Sequence, residues 1–321
     1  MPSVTYFPAR MKSPARKCLA LFAPGLFAAG ALVAQGPPQA APDAKCVEQE
    51  VNKGLDEAAA GLRCRNAAEP GEDPVEMTVS SPPMVSNDTG TPGPNNWELN
   101  FTVTGAIAAD RKSFELPLLD INYGVGEKIQ LTFEVPYSLS RAASFDDAGK
   151  PTTTTLRGVG NSGASVKIRV YENKTRGLSL AFFPKLEFRL PGSRLEADGG
   201  TATRDTNAIF PALVTWEFAH VSFSANGGVE KSSADPRADY FASIGAGIRL
   251  TGKLALLGEI AGQELDRGDG RRILLNAGFR RKISGTLSLV ASAGRDLRAG
   301  GDGLRYSYFS VTLQQLIEHK K

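Results

Sequence analysis

The sequence predicts an all-β protein: a transmembrane antiparallel β-barrel of about twelve strands behind a short helical and Pro-rich N-terminal extension. Three observations predict it. Leu178, Leu180, Phe182, Leu186, Phe188 and Leu190 fall on even positions, while Ser179, Lys185, Glu187 and Arg189 fall on odd ones. A period of two belongs to a strand with one apolar and one polar face. That pattern recurs from Trp97 almost to the C-terminus, behind an N-terminus of secretory type. The connections also alternate, tight after even strands and mostly longer and polar after odd ones, as in barrels inserted with short turns facing the periplasm.

The elements follow in chain order. Residues 18–34 form the single continuously apolar run, preceded by Arg10, Lys12, Arg16 and Lys17 and interrupted by Pro24-Gly25. Basic, apolar and small-residue regions in that order read as a signal peptide over 1–34, cleaved after Ala34, with Met11 an alternative start. Residues 35–95 are expected to be a periplasmic extension. In it Val47, Val51, Leu55, Ala58 and Leu62 recur at helical spacing. Cys46 and Cys64 flank that stretch in a compartment that permits a disulfide. One unbroken helix would hold them about 27 Å apart, so either the helix bends near Gly54 or the pair is not bonded within one chain. Six prolines over 70–94 then read as an extended linker.

The barrel is expected over 96–321. Strand one takes 97–108, strand two 116–123 and strand three 129–137, followed by a long polar segment over 138–160. Strand four centres on Val166, Ile168 and Val170, and strand five is 178–190. A second long loop, 191–207, leads to strand six with Phe210, Val214, Trp216 and Phe218 outward. Strands seven to twelve carry Val221–Val229, Tyr240–Ile248, Leu254–Ile260, Ile273–Phe279, Leu287–Ala293 and Tyr306–Ile317 by the same parity rule. An even count puts both ends of the barrel on the periplasmic side. Trp97, Tyr123 and Phe218 fall at expected periplasmic ends, and Tyr137, Phe210 and Tyr240 at expected outer ends. Aromatics gathered at the ends of apolar faces mark membrane interfaces, whereas a sandwich core gives them no such preference.

Composition narrows the function. Thirty-four glycines and 8% aromatics suit many turns, and a formal net charge of +3 without a long basic run argues against nucleic acid. Mean hydropathy is slightly negative, which excludes a polytopic helical membrane protein. The two histidines, His220 in a turn and His319 in the tail, cannot pair with a strand-borne nucleophile. No metal spacing is present, so no enzyme, cofactor or metal is expected.

The run Tyr123-Gly124-Val125-Gly126-Glu127-Lys128-Ile129-Gln130-Leu131, continuing to Val135-Pro136-Tyr137, resembles a hairpin of an outer-membrane transporter family named for the meta-pathway of phenol degradation. Gly158-Val159-Gly160-Asn161, Phe183-Pro184-Lys185 and Leu190-Pro191-Gly192 are similar to further landmarks of that family, although Asn161-Ser162 stands where it carries Gly-Asp. The resemblance implies an outer-membrane channel for small hydrophobic or aromatic compounds.

Parity places the polar faces in the lumen. Glu98, Asp120 and Glu134 come from strands one to three, and Lys167, Arg169, Lys185, Glu187 and Arg189 from strands four and five. Arg249, Glu259, Arg272 and Arg280 come from later strands. Opposed acidic and basic walls would set a transverse field across a passive channel for small solutes. The alternatives that stay open are a basic wall that selects anions, a closed structural barrel whose interior charges pair and, least favoured, an outer-membrane enzyme. The expected partners are outer-membrane lipids and a small solute, with 138–160 and 191–207 as the surface loops controlling access.

Overall fold

The computed structural model describes residues 44–57, 59–60, 64, 74–79, 84–145, 149–264, 271–300 and 303–319. The expected signal peptide lies outside them. Helix α1 spans Ala44–Asn52 and ends at Gly54, whose φ of 93° reverses the chain. Asp56 then accepts the Ala59 amide at 2.8 Å, opening a second helical stretch, and a disulfide joins Cys46 to Cys64.

Among the described residues, fourteen strand segments make twelve strands, because two strands are broken. They are β1 (Trp97–Ile107), β2 (Arg111–Val125), β3 (Ile129–Phe145), β4 (Pro151–Val159 and Asn161–Asn173), β5 (Leu178–Phe182 and Lys185–Arg189) and β6 (Asn207–Glu217). The rest are β7 (Val221–Ser232), β8 (Ala238–Thr251), β9 (Leu254–Glu264), β10 (Arg271–Lys282), β11 (Leu287–Arg298) and β12 (Ser307–Ile317). Each is antiparallel to the next, and β12 returns to β1 from Trp97↔Ile317 to Ile107↔Ser307, so the sheet closes without an edge in its membrane-spanning part.

The breaks have chemical causes. Pro184 offers no amide hydrogen and interrupts β5, while Phe183 N donates across to Pro211 O at 3.1 Å. Gly160 bends β4, whose outer arm pairs Tyr137↔Val159 through Phe145↔Pro151 and whose inner arm pairs Ile129↔Ile168 through Glu134↔Gly163. The expected loop over 138–160 is therefore corrected to a hairpin that prolongs the wall outward. Its β-branched run Thr152–Thr155 favours a strand although every residue of it is polar and exposed. The loop over 191–206 does stand as a loop. It carries a short 3-10 helix, Glu196–Asp198, and is tied to the bend of β4 by Asn161, which donates to Thr203 Oγ1 at 2.8 Å and accepts from Thr203 N at 3.0 Å.

The two faces are inverted relative to a water-soluble protein. Phe101, Leu131, Phe182, Phe210, Val214, Ile244, Leu256, Ile260, Leu275 and Leu313 are exposed outward, Ile244 by 61%. Asn100, Thr102, Asn122, Thr132, Thr215, Ser222, Ser224, Ser243, Ser310 and Thr312 are buried inward. An apolar girdle of that extent is costly in water and matched in lipid. Trp97 meets Tyr123 with ring centroids 4.6 Å apart, and Trp216 meets Phe218 at 4.9 Å, both at the short-turn end.

Candidate functional site

The Pro-rich segment is extended, as its composition suggests, and its described residues over 75–79 and 84–90 lie inside the barrel, while Thr91 and Gly93 reach the β2–β3 turn at the periplasmic end. Val75, Met77, Thr78, Val79, Met84, Ser86, Asp88 and Thr89 are all buried there. Extended chain has unpaired amides and carbonyls, and the lumen wall satisfies them. Val85 N and Ser86 N donate to the two carboxylate oxygens of Glu259 at 2.8 Å each. Asn226 accepts from Asn87 N and donates to Asn87 O, Thr215 accepts from Thr89 N, and Ser222 donates to Met77 O at 2.6 Å. Val79 and Met84 pack against Leu257 and Val290. Thus the segment lies along the β6–β11 side of the lumen.

Charges fasten it. Lys167 reaches Asp88 at 3.4 Å and Gly90 O at 3.0 Å, and Arg280, 1% exposed, pairs with Glu76. Arg249 donates to Val75 O at 3.2 Å. Lys185 is held between Glu134 and Glu187, the latter at 3.1 Å. Arg272 lies 3.6 Å from Asp296 and 4.8 Å from the centre of the Tyr306 ring. Two residues of inward parity, Arg169 opposite the buried Ala181 and Arg189 opposite the buried Asn161, stand at the two ends of the wall and not in the cavity lining. Arg169 sits at the periplasmic turn with Glu127 O and Glu172, and Arg189 is exposed at the outer end of β5, donating to Ser193 O at 3.2 Å. Alternation carries a side chain inward only while the wall continues, and β5 ends there.

A cavity of about 1240 Å³ remains beside the segment. Its lining runs from Arg204 and Arg237 in the outer loops to Gln314 and Leu316 near the periplasmic end. Opposite the segment it is bounded by Glu98, Asp120, Asn122, Gln130, Thr132 and Glu134 of β1–β3. Register explains that wall: Asp120 is the cross-strand partner of Asn100 and Glu134, and Asn122 of Glu98 and Thr132. Asn100 donates to Glu98 at 2.9 Å and to Asp120 at 3.1 Å. Eleven acidic and five basic residues line the cavity among the described residues, and Lys167 and Lys185 are already engaged by carboxylates. In place of opposed walls, the passage has one acidic wall and a wall covered by the N-terminal segment. At the mouth, burial with Asp205 nearby raises Glu196 above the ordinary carboxylate range, whereas hydrogen bonds from Arg237 hold Asp235 below it.

Solved structures bear on the fold. An outer membrane channel from Pseudomonas putida F1 covers 78% of this chain and 100% of its own length, at 12% sequence identity and a TM-score of 0.52. The chain has the fold of outer-membrane channels. The KdgM porin in complex with disordered oligogalacturonate covers 68% of this chain and 99% of its own, with 10% identity and a TM-score of 0.45. The CymD monoaromatic hydrocarbon channel covers 71% and 89%, with 10% identity and a TM-score of 0.42. No protein-family model matches the chain, and no curated protein matches it in sequence.

Asp296, Asn226 and the described residues over 76–79 and 84–91 were not legible as site residues. Asp296 follows the last apolar residue that parity assigned to strand eleven, at a register shift between β10 and β11. Lys185→Met strands Glu134 and Glu187 without their shared cation. It is expected to cost about 1–3 kcal/mol, less than for a dry ion pair because the cavity admits water. A denaturant titration of the refolded barrel reads that loss, and Glu187→Gln in the same chain should recover part of it.

Proposed function

We propose that the protein is an outer-membrane channel for passive movement of small solutes, preferring cations and neutral molecules to anions, with the N-terminal segment as its inner constriction. The division that goes with it is a cleaved signal over 1–34, a periplasmic extension over 35–95 whose described residues over 75–79 and 84–90 enter the lumen, and the barrel over 96–321. One observation carries the reading: a closed barrel, apolar outside, surrounds a cavity whose lining reaches from the outer loops to the periplasmic end and carries an acidic excess. Fixed charge of one sign in a narrow low-dielectric passage concentrates counter-ions. The anion-selective alternative loses support because Lys167, Lys185 and Arg280 already bind carboxylates.

Planar-bilayer recording under a potassium chloride gradient tests this. The expected reversal potential favours potassium, and Glu98→Gln with Asp120→Asn should move it toward zero. Chloride preference would restore the basic-wall reading, and absence of conductance would favour a closed structural barrel. A second reading, passage of aromatic compounds, follows from the family resemblance and from the apolar strip of Ile209, Pro211, Phe241 and Leu274 in the cavity lining. Liposomes that take up an aromatic solute no faster than a sugar of similar size would count against it.

A further inference from the structure

Just above the apolar belt, β2, β3 and the outer arm of β4 turn three cations to the outside of the barrel. Lys112 and Arg141 are direct cross-strand partners; Arg141 faces Thr155, two residues from Arg157. Their direction follows from register. Lys112 lies opposite Ile107, an exposed outward residue of β1, and Arg157 lies opposite Leu139, two residues from the outward Tyr137. All three are exposed, and none has an ion-pair partner among the described residues.

The height is set by β3. From Ile129 to Leu139 its outward positions are apolar or aromatic, and ten residues at about 3.4 Å each, tilted about 40°, rise roughly 26 Å. That is the whole hydrocarbon band, so Arg141 stands at headgroup level. Phe114 and Phe309, with ring centroids 6.3 Å apart, lie directly beneath on the outward face over Gly105, where aromatics mark an interface.

Like charges placed directly opposite one another repel. Three other cations of the described outer rim stand differently. Arg237 pairs with Asp235, Lys231 donates to the Asp235 and Arg237 carbonyls, and Arg295 stands between Leu275 and Ser307. A phosphate between Lys112 and Arg141 turns that repulsion into two charge-assisted contacts, and the planar guanidiniums of Arg141 and Arg157 match phosphate oxygens. We propose that Lys112, Arg141 and Arg157 bind the phosphate of an anionic glycolipid in the outer leaflet. This rests on the belt lying in an outer membrane.

The test uses the full-length chain in detergent, with diphosphorylated lipid A as probe and its phosphate-free counterpart as control. Replacing all three cations, Lys112→Gln with Arg141→Gln and Arg157→Gln, should weaken binding of the phosphorylated probe roughly tenfold or more, since several cations act on one anion. Arg295→Gln should leave it unchanged, and so should inorganic phosphate added as competitor. Equal binding by the triple variant, equal binding of the two probes, or displacement by inorganic phosphate would each overturn the proposal. Heat-modifiable migration confirms that the variant is folded; should it not fold, Arg141→Gln alone is expected to lower binding in the same direction. Conductance of the same preparations in phosphate-free bilayers reads the channel proposal independently.

Discussion

Replacing Gly247 by valine should raise single-channel conductance severalfold while leaving the barrel intact. Gly247 is on the inward face of β8, and a Cβ there would overlap the carbonyl oxygen of Met77. That oxygen is backbone, held at 2.6 Å by Ser222, and cannot move away unless the segment moves. Gly245, two residues earlier on the same face, leaves the room that Val79 takes: its Cβ would come within 2.9 Å of that side chain. Valine suits a strand, so the wall itself has no reason to fail. What yields is the lodged chain over 75–79, together with its bonds to Arg249 and Arg280. Protease sensitivity in the 74–90 stretch reports the displacement separately from conductance. A displaced segment with unchanged conductance would mean that the constriction lies elsewhere, for example in the loop over 191–206. Arg280→Gln removes one fastening and leaves the steric fit, so its effect should be in the same direction and smaller.

The membrane-spanning wall was legible because each strand puts unlike chemistry on its two faces. Lys167, Lys185, Glu187 and Asp120 fell inward by parity, and the structure places them in the lumen. The lodged segment was not legible for the opposite reason. An extended polar chain has no period, and its partners are remote in sequence: Asp88 meets Lys167 79 residues on, and Ser86 meets Glu259 173 residues on. One local signal did exist. Gly245 and Gly247 occupy inward positions between the outward Ile244 and Ile248, leaving a strip of wall with no side chains. Such a strip is what another backbone needs in order to approach closely. The outer hairpin of β3 and β4 was missed because, above the bilayer, both of its faces meet water and the alternation disappears. The charge pairs were hidden in the same way. Parity tells that Lys185 and Glu134 face inward, but only register between β3, β4 and β5 shows that they meet.

Ile244→Arg should destabilise the folded barrel by about 2–4 kcal/mol, whereas Tyr240→Arg should cost about 0–1 kcal/mol. The two positions are on the same outward face of β8, one strand turn of chemistry apart. Ile244 lies mid-strand between Ala225 and Ile260, and Tyr240 lies at the outer end opposite Val229. Both are more than half exposed, by 61% and 52%. If that face met water, either substitution would remove exposed apolar surface and the two would be nearly neutral or mildly stabilising. In lipid the cost depends on depth, since a guanidinium at the midplane has no water and one near the headgroups reaches it by snorkelling. Equilibrium unfolding of the barrel refolded into lipid vesicles measures both. Equal small effects would remove the membrane from the account. A large effect at Ile244 with little at Tyr240 assigns the apolar face to the bilayer by a route that is independent of conductance.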